Sequence, residues 1–264
     1  MNLKNQYNSS FLKRKAYPHN GYEIPWTIYL PTQEALIEWE EEIIDTNYVD
    51  NVTYSMNEFG FRSPDFKKDK SIFLFNGCSF TFGTGILLEK TWPYLVSSEF
   101  KKEAEYLNIG LPASGPDIQI LNLHWAIDNF KIDKIFWYMS DPFRQVIHYN
   151  YGHYDFYVPN SKSKFFNNHK TTENFINLSI DLEKNIYIKT YWQLYSLFSK
   201  IADKKIDSYI TCWIEDFDND IVELKTKFNI KNLGMLNSID FARDNTHPGN
   251  LSHCEFSKKI LRNL

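Results

Sequence analysis

A serine, an aspartate and a histidine stand in this chain in an order that can make an activated nucleophile. Ser79 lies in Gly77-Cys78-Ser79-Phe80-Thr81-Phe82-Gly83, directly after the apolar run Ile72-Phe73-Leu74-Phe75, which reads as a fully buried strand. A hydroxyl delivered at the end of such a strand is a candidate nucleophile, but serine is a weak one until a neighbouring base takes its proton. Asp244-Asn245-Thr246-His247 supplies a histidine with a carboxylate three residues before it. Ser, then Asp, then His is one of several chain orders in which the same triad geometry recurs. Singly, each residue has a plainer reading: Ser79 as a helix cap or turn residue, His247 as a solvated or core histidine. Cys78 is the alternative nucleophile, although its flanking position turns its side chain away from that of Ser79, as expected of a buried structural thiol.

Other polar residues are weaker candidates. His148, His153 and His169 suggest a metal only until a ligand set is sought; no carboxylate or cysteine completes one, and they read as surface loop histidines. Tyr149, Tyr151, Tyr154 and Tyr157 can offer stacking surfaces for a sugar or simply pack an aromatic excursion. His253, six residues past His247, falls on the last predicted helix with no chemical role.

The setting of Ser79 is Gly-x-Ser-x-Thr, not the Gly-x-Ser-x-Gly elbow of the α/β-hydrolases. Together with Asn108-Ile109-Gly110 and an Asp-x-x-His motif followed by Pro248-Gly249, it resembles the SGNH hydrolases, also called the GDSL esterase and lipase family. There the nucleophile sits in a Gly-Asp-Ser segment after the first strand, and an Asp-x-x-His motif precedes the last helix. The resemblance implies a serine esterase or acyl hydrolase cleaving a carboxylic ester, for instance an O-acetyl group on a carbohydrate, through an acyl-serine intermediate and without a cofactor. Ser79, Asp244 and His247 would be catalytic, and the backbone N–H groups of Ser79 and Gly110 would receive the oxyanion. An acceptor hydroxyl in place of water would make the protein an acyltransferase; loss of catalysis would leave a glycan-binding module on the same scaffold.

Two positions depart from the family pattern. Cys78 stands where the family has aspartate. The family's Gly-x-Asn-Asp motif, whose asparagine completes the oxyanion hole, is replaced after Ile135-Phe136-Trp137-Tyr138-Met139 by Ser140-Asp141-Pro142-Phe143-Arg144. One such donor is worth about 10²–10³ in rate, and Ser140 and Arg144 are the nearby oxyanion or substrate contacts; Arg144 has the plainer reading of an ion pair with Asp141. Asn57-Glu58-Phe59-Gly60-Phe61-Arg62 looks like the Asn-x-x-Gly-Phe-Arg lead-in of many relatives, a structural element in which Gly60 makes a turn and Arg62 pairs with a carboxylate.

The whole chain can carry such a site. Its 264 residues, 43% hydrophobic, suffice for one domain with an extension. A net charge of −4, from 29 basic and 33 acidic residues, gives no electrostatic footprint for nucleic acid or a membrane surface. Cys78, Cys212 and Cys254 share no metal-ligand spacing and form no disulfide framework. The first residues lack the apolar core of a signal peptide and no run reaches membrane-spanning length, so a cytoplasmic location is expected.

Strands and helices are predicted to alternate. Thr91 caps a helix through Trp92, Leu95, Val96 and Phe100; Tyr106–Ile109 is a second strand; Gly115-Pro116 opens a helix through Ile118, Leu121 and Trp125. Ile135–Met139 is the third strand. A helix over Tyr187–Ile201 leads to a fourth, Ser208–Trp213, with a short fifth near Met235 and a last helix over Leu251–Asn263. This alternation predicts an α/β fold, a three-layer α/β/α sandwich with a parallel, flavodoxin-like sheet, whose ligands bind at the carboxyl ends of the strands. Residues 1–66, including a helix over Thr32–Ile44, form an N-terminal extension packing on the core. Residues 67–264 form the SGNH-like domain, with a loop-rich insertion at about 148–180.

Overall fold

Parallel strands covered on both faces must be apolar at nearly every position, and the central strands of this chain are. The computed structural model describes residues 52, 54, 56, 57, 59–67, 70–101, 103–112, 114–148, 154–157, 182–242 and 247–264. Strands β1 (Ile72–Gly77), β2 (Glu105–Asn108) and β3 (Ile132–Met139) pair in parallel with one another and with a later strand, Asp207–Cys212, labelled β6. The order is β2-β1-β3-β6. A fifth strand is reduced to one parallel bridge, Tyr209 to Lys231, a few residues before the expected position. The order matches a doubly wound sheet, with its switch point between β1 and β3.

Alternate side chains go to opposite faces, and the two faces differ in chemistry. Ile72, Leu74, Ile135, Trp137, Met139, Ile210 and Cys212 face one layer, built from α3 (Pro116–Asn129) and α4 (Leu182–Asp203). Phe73, Phe75, Phe136, Tyr138 and Tyr209 face the other, under α2 (Trp92–Glu99) and α7 (Asn250–Arg262). On that face the rings stack in file across three strands: Phe75 on Phe136 at 4.9 Å between centroids, and Phe136 on Tyr209 at 5.3 Å. Between β1 and α2 lies a four-residue turn of helix, α1 (Ser79–Phe82); after β6 come two short helices, α5 (Glu215–Asp220) and α6 (Val222–Lys227). Thr91 caps α2 as expected, its hydroxyl accepting from the Tyr94 N–H at 3.4 Å. None of the described helices is long and apolar enough to cross a membrane.

Two details go beyond the sequence reading. After the third strand, where the expected insertion begins, the chain opens a hairpin, β4 (Gln145–His148) against β5 (Tyr154–Tyr157), placing His148 opposite Tyr154; its alternation is too short to register as a pattern. His253 lies on the last helix as expected, and there it has a structural role. It is 1% exposed on α7, and its Nδ1 accepts the Trp92 N–H at 3.0 Å, satisfying the first amide of α2 and joining the two helices of the aromatic face. The expected helix over Thr32–Ile44, and Tyr149, Tyr151, His153 and His169, lie outside the described residues.

Burial, then the charge of Arg62, holds His253 down to about 3. The sign follows from linkage: below the ordinary histidine range the unfolded chain takes up a proton that the native fold refuses, so stability falls as pH drops from about 6.5 towards 3. At pH 4 this one residue removes on the order of 3 kcal/mol. Urea unfolding at pH 7.5, 5.5 and 4.5 is expected to show that decline in the wild type, and a flatter one in His253→Asn, which keeps an acceptor near Nδ1 but does not titrate.

Candidate active site

Ser79 leaves the sheet through a turn that only glycine allows. Gly77 has φ +151, and a Cβ there would lie 2.2 Å from Thr81 Oγ1 and 2.6 Å from the Tyr138 carbonyl oxygen. The chain therefore folds back at once into α1, with Cys78 at its N-cap and Ser79 as its first residue. Ser79 is 8% exposed, and the first N–H groups of such a turn have no acceptor within it. The Ser79 carbonyl accepts from Gly83 and Thr84 N–H at 2.8 and 3.1 Å. Cys78 is buried, as expected of a structural thiol.

Gly110, after β2, packs against the same turn. A Cβ on it would come within 3.0 Å of Thr81 Cβ and of the Phe82 nitrogen. Its N–H donates to Asn108 Oδ1 at 3.0 Å, and Asn108 Nδ2 donates to the Thr81 carbonyl at 2.9 Å. Asn108 thus ties the end of β2 to the turn that carries Ser79.

Ser140 belongs to a buried scaffold. Its hydroxyl donates to the Ser114 carbonyl at 2.9 Å and accepts from Gln119 Nε2 at 3.0 Å; Gln119 Oε1 takes the Trp137 indole N–H at 2.9 Å and the Ser140 N–H at 3.3 Å. Ser114 Oγ in turn lies 3.2 Å from the Gly77 carbonyl. With Ser140 0% exposed and its only proton given to Ser114, the hydroxyl has no donor left for an oxyanion. The network joins the ends of β1 and β3 through α3; no motif announces it, because Gln119 is an ordinary helical residue until the sheet is assembled.

His247 approaches from the opposite side. Ala242 N–H donates to the His247 carbonyl at 2.7 Å, and Phe241 bridges Pro248 in antiparallel fashion. This pair is mounted on α7 by Asp240, whose carboxylate accepts the N–H of Leu251 at 2.9 Å and of Ser252 at 2.8 Å, and the Ser252 hydroxyl at 2.5 Å. A carboxylate on the first turn satisfies orphan amides and complements the helix dipole. The imidazole of His247 packs edge-on against Phe80, the neighbour of Ser79, at 5.8 Å between centroids. Asp244 lies outside the described residues.

Phe80 also meets Trp213, at the end of β6, edge-on at 5.1 Å, and the Arg144 guanidinium stands 5.5 Å over the Trp213 ring. Ser79, His247, Trp213 and Arg144 therefore occupy one stretch of the carboxyl edge. Asp141 accepts from the Phe143 N–H at 2.8 Å; burial raises its carboxyl above the usual range, against the lowering effects of that bond and of Arg144. Trp213 and Asp240 are participants that sequence reading missed, one lying just past a strand and the other just outside the Asp-x-x-His motif. Among the described residues no group of three or more His, Cys, Asp or Glu is placed to hold a metal ion.

No protein-family model matches the chain, and no curated protein matches it. Among solved structures it is similar to TesA, at 9% identity over 73% of this chain and 97% of that one, with a TM-score of 0.49. It is also similar to the psychrotrophic esterase EstA from Pseudoalteromonas sp. (9%, 72% and 94%, 0.45) and to a GDSL-like lipase from Bacteroides thetaiotaomicron VPI-5482 (11%, 75% and 89%, 0.41).

Removal of the Asp240 carboxylate tests how the histidine loop is held. Asp240→Ala is expected to cost about 1–2 kcal/mol, the range for a lost helix cap, read from the urea midpoint at pH 7.5. Asp240→Asn, which keeps one acceptor oxygen, is expected to cost less.

Proposed function

We propose that this chain is a serine acyl hydrolase of the SGNH type, acting on a carboxylic ester. The observation that carries the reading is the convergence on Phe80: the turn that ends β1 presents Ser79, and the loop ahead of α7 brings the His247 ring against the adjacent residue. Ser79 Oγ attacks the ester carbonyl while His247 accepts its proton and later returns it to the leaving alcohol. Asp244, three residues before His247, orients the imidazole and stabilises its protonated form. Water completes the cycle by hydrolysing the acyl-serine.

The oxyanion is received by backbone N–H groups of Ser79 and Gly110. In this structure the Gly110 N–H is given to Asn108 Oδ1. A negatively charged oxygen is the stronger acceptor, so it can compete for that amide once the tetrahedral intermediate forms. Arg144, held over Trp213, takes the place of the family asparagine as a donor to the oxyanion or to the substrate. A small acyl group on a carbohydrate hydroxyl, such as an O-acetyl ester, suits a site walled by Phe80 and Trp213, since flat rings pack against sugar faces.

Ser79→Ala is expected to abolish hydrolysis of p-nitrophenyl acetate while moving the unfolding free energy by no more than about 0.5 kcal/mol. Hydrolysis that survives the change would overturn the assignment, and its disappearance in Cys78→Ala instead would transfer the role to the thiol. For Arg144→Ala the expectation is a kcat lowered about 10²-fold, the scale of one donor. Unchanged turnover in both Arg144→Ala and Arg144→Lys would leave the oxyanion to backbone N–H groups alone.

A further inference from the structure

The Asn57–Arg62 segment builds one feature that the reaction outlined above does not use. Asn57 Oδ1 accepts the N–H groups of Phe59 and Phe61 at 3.0 and 3.1 Å, Gly60 turns the chain at φ +76, and Arg62 is thereby delivered, 0% exposed, beside the nucleophile's turn. Its guanidinium serves main-chain carbonyls: Nη1 donates to Phe82 O at 3.1 Å and to Gly83 O, and Nη2 to Ile86 O at 2.6 Å. The Tyr54 ring lies 4.6 Å from the guanidinium carbon, and the Tyr54 hydroxyl accepts the Gly85 N–H at 2.8 Å.

We propose that Arg62 is a positioning residue for Ser79, fixing the nucleophile by clamping the far end of its turn. The proposal rests on Ser79 being the nucleophile. A helix of four residues cannot hold itself together, and its last carbonyls lack partners within it. Two left-handed glycines, Gly83 and Gly85, follow α1, leaving the backbone there especially free to move. The planar fork of Arg62 satisfies three carbonyls at once and sets a positive charge at the end of the turn where the dipole favours one. The path to the reacting atom is short. Gly83 is gripped through its carbonyl by Arg62 and, through its N–H, donates to the carbonyl of Ser79 itself. A lysine in place of Arg62 would keep the charge but reach one carbonyl with a flexible point donor.

The test uses the full chain and two variants, each measured well below its own unfolding midpoint so that all molecules are folded. Arg62→Lys removes the fork; Tyr54→Phe removes the acceptor of the Gly85 N–H and serves as the mild variant if Arg62→Lys fails to fold. Amide hydrogen exchange of Gly83, Thr84 and Gly85 is expected to quicken about tenfold or more in Arg62→Lys, relative to β1 and β3 amides in the same sample. In Tyr54→Phe the Gly85 amide is expected to quicken about fivefold, the scale of one hydrogen bond. With p-nitrophenyl acetate, kcat is expected to fall about 10–10²-fold in Arg62→Lys, with KM within about twofold. Unchanged exchange in the turn overturns the clamp, and quickened exchange with wild-type kcat overturns the positioning role and leaves a structural one. A wild type without turnover that depends on Ser79 would bring down the nucleophile reading, and with it the catalytic consequence, while the exchange measurement still accepts or rejects the clamp.

Discussion

The reversal of the chain at Gly77 is the constraint on which the carboxyl edge of the sheet depends. With φ +151 and no room for a Cβ between Thr81 Oγ1 and the Tyr138 carbonyl, the strand passes straight into α1, and Ser79 is held against the sheet instead of drifting out on a loop. Gly110 repeats the condition at the end of β2, where a side chain would push on Thr81 and Phe82. Two strand ends and one turn of helix thus share a space with little room for an extra methyl group, and close packing of the turn against the strand ends holds Ser79 in place.

Polar groups buried at that edge make it rigid. Gln119 gives its amide protons to Ser114 and Ser140 and takes protons from Trp137 and the Ser140 backbone. Where water is excluded such bonds strengthen, and an unpaired group would be costly, so the ends of β1 and β3 are locked at a fixed separation. The histidine has a different kind of support. His247 is paired through its carbonyl with Ala242 and followed by the Phe241–Pro248 bridge, and the adjoining Asp240 is anchored to the amides of α7. Ser79 is therefore borne by the core and His247 by a capped helix end, and the contact of Phe80 with the His247 ring links the two.

The aromatic face of the sheet links these supports. Rings stacked across β1, β3 and β6 under α2 and α7 continue at the edge as Phe80 and Trp213. Ring faces carry partial negative charge, so a guanidinium settles over them at modest cost. This accounts for the station of Arg144 over Trp213. Beneath the same layer, His253 is kept neutral by burial and by Arg62 while it receives the Trp92 amide. The groups that hold the site and those that hold the helices are packed in one layer.

The sequence alone was enough for the alternation of strands and helices, the parallel sheet, and the strand ends that carry Ser79, Gly110 and Arg144. Apolar runs such as Ile72–Phe75 and Ile135–Met139, and turn signals such as Gly115-Pro116, are local properties, readable wherever burial makes each residue answer to its immediate neighbours. The hairpin Gln145–His148 with Tyr154–Tyr157 was not legible, because four-residue strands give no pattern above their surroundings. Nor were the partners of polar residues. Ser140 is a donor by position, yet its proton goes to Ser114; Arg62 donates to the carbonyls of Phe82, Gly83 and Ile86, contacts that no motif announces. His253 holds a helix end through Trp92, 161 residues earlier in the chain. Hydrogen-bond partners twenty or more residues apart exist only once the layers have packed, since a side chain's partner is set by distance in space, which the order of residues does not contain.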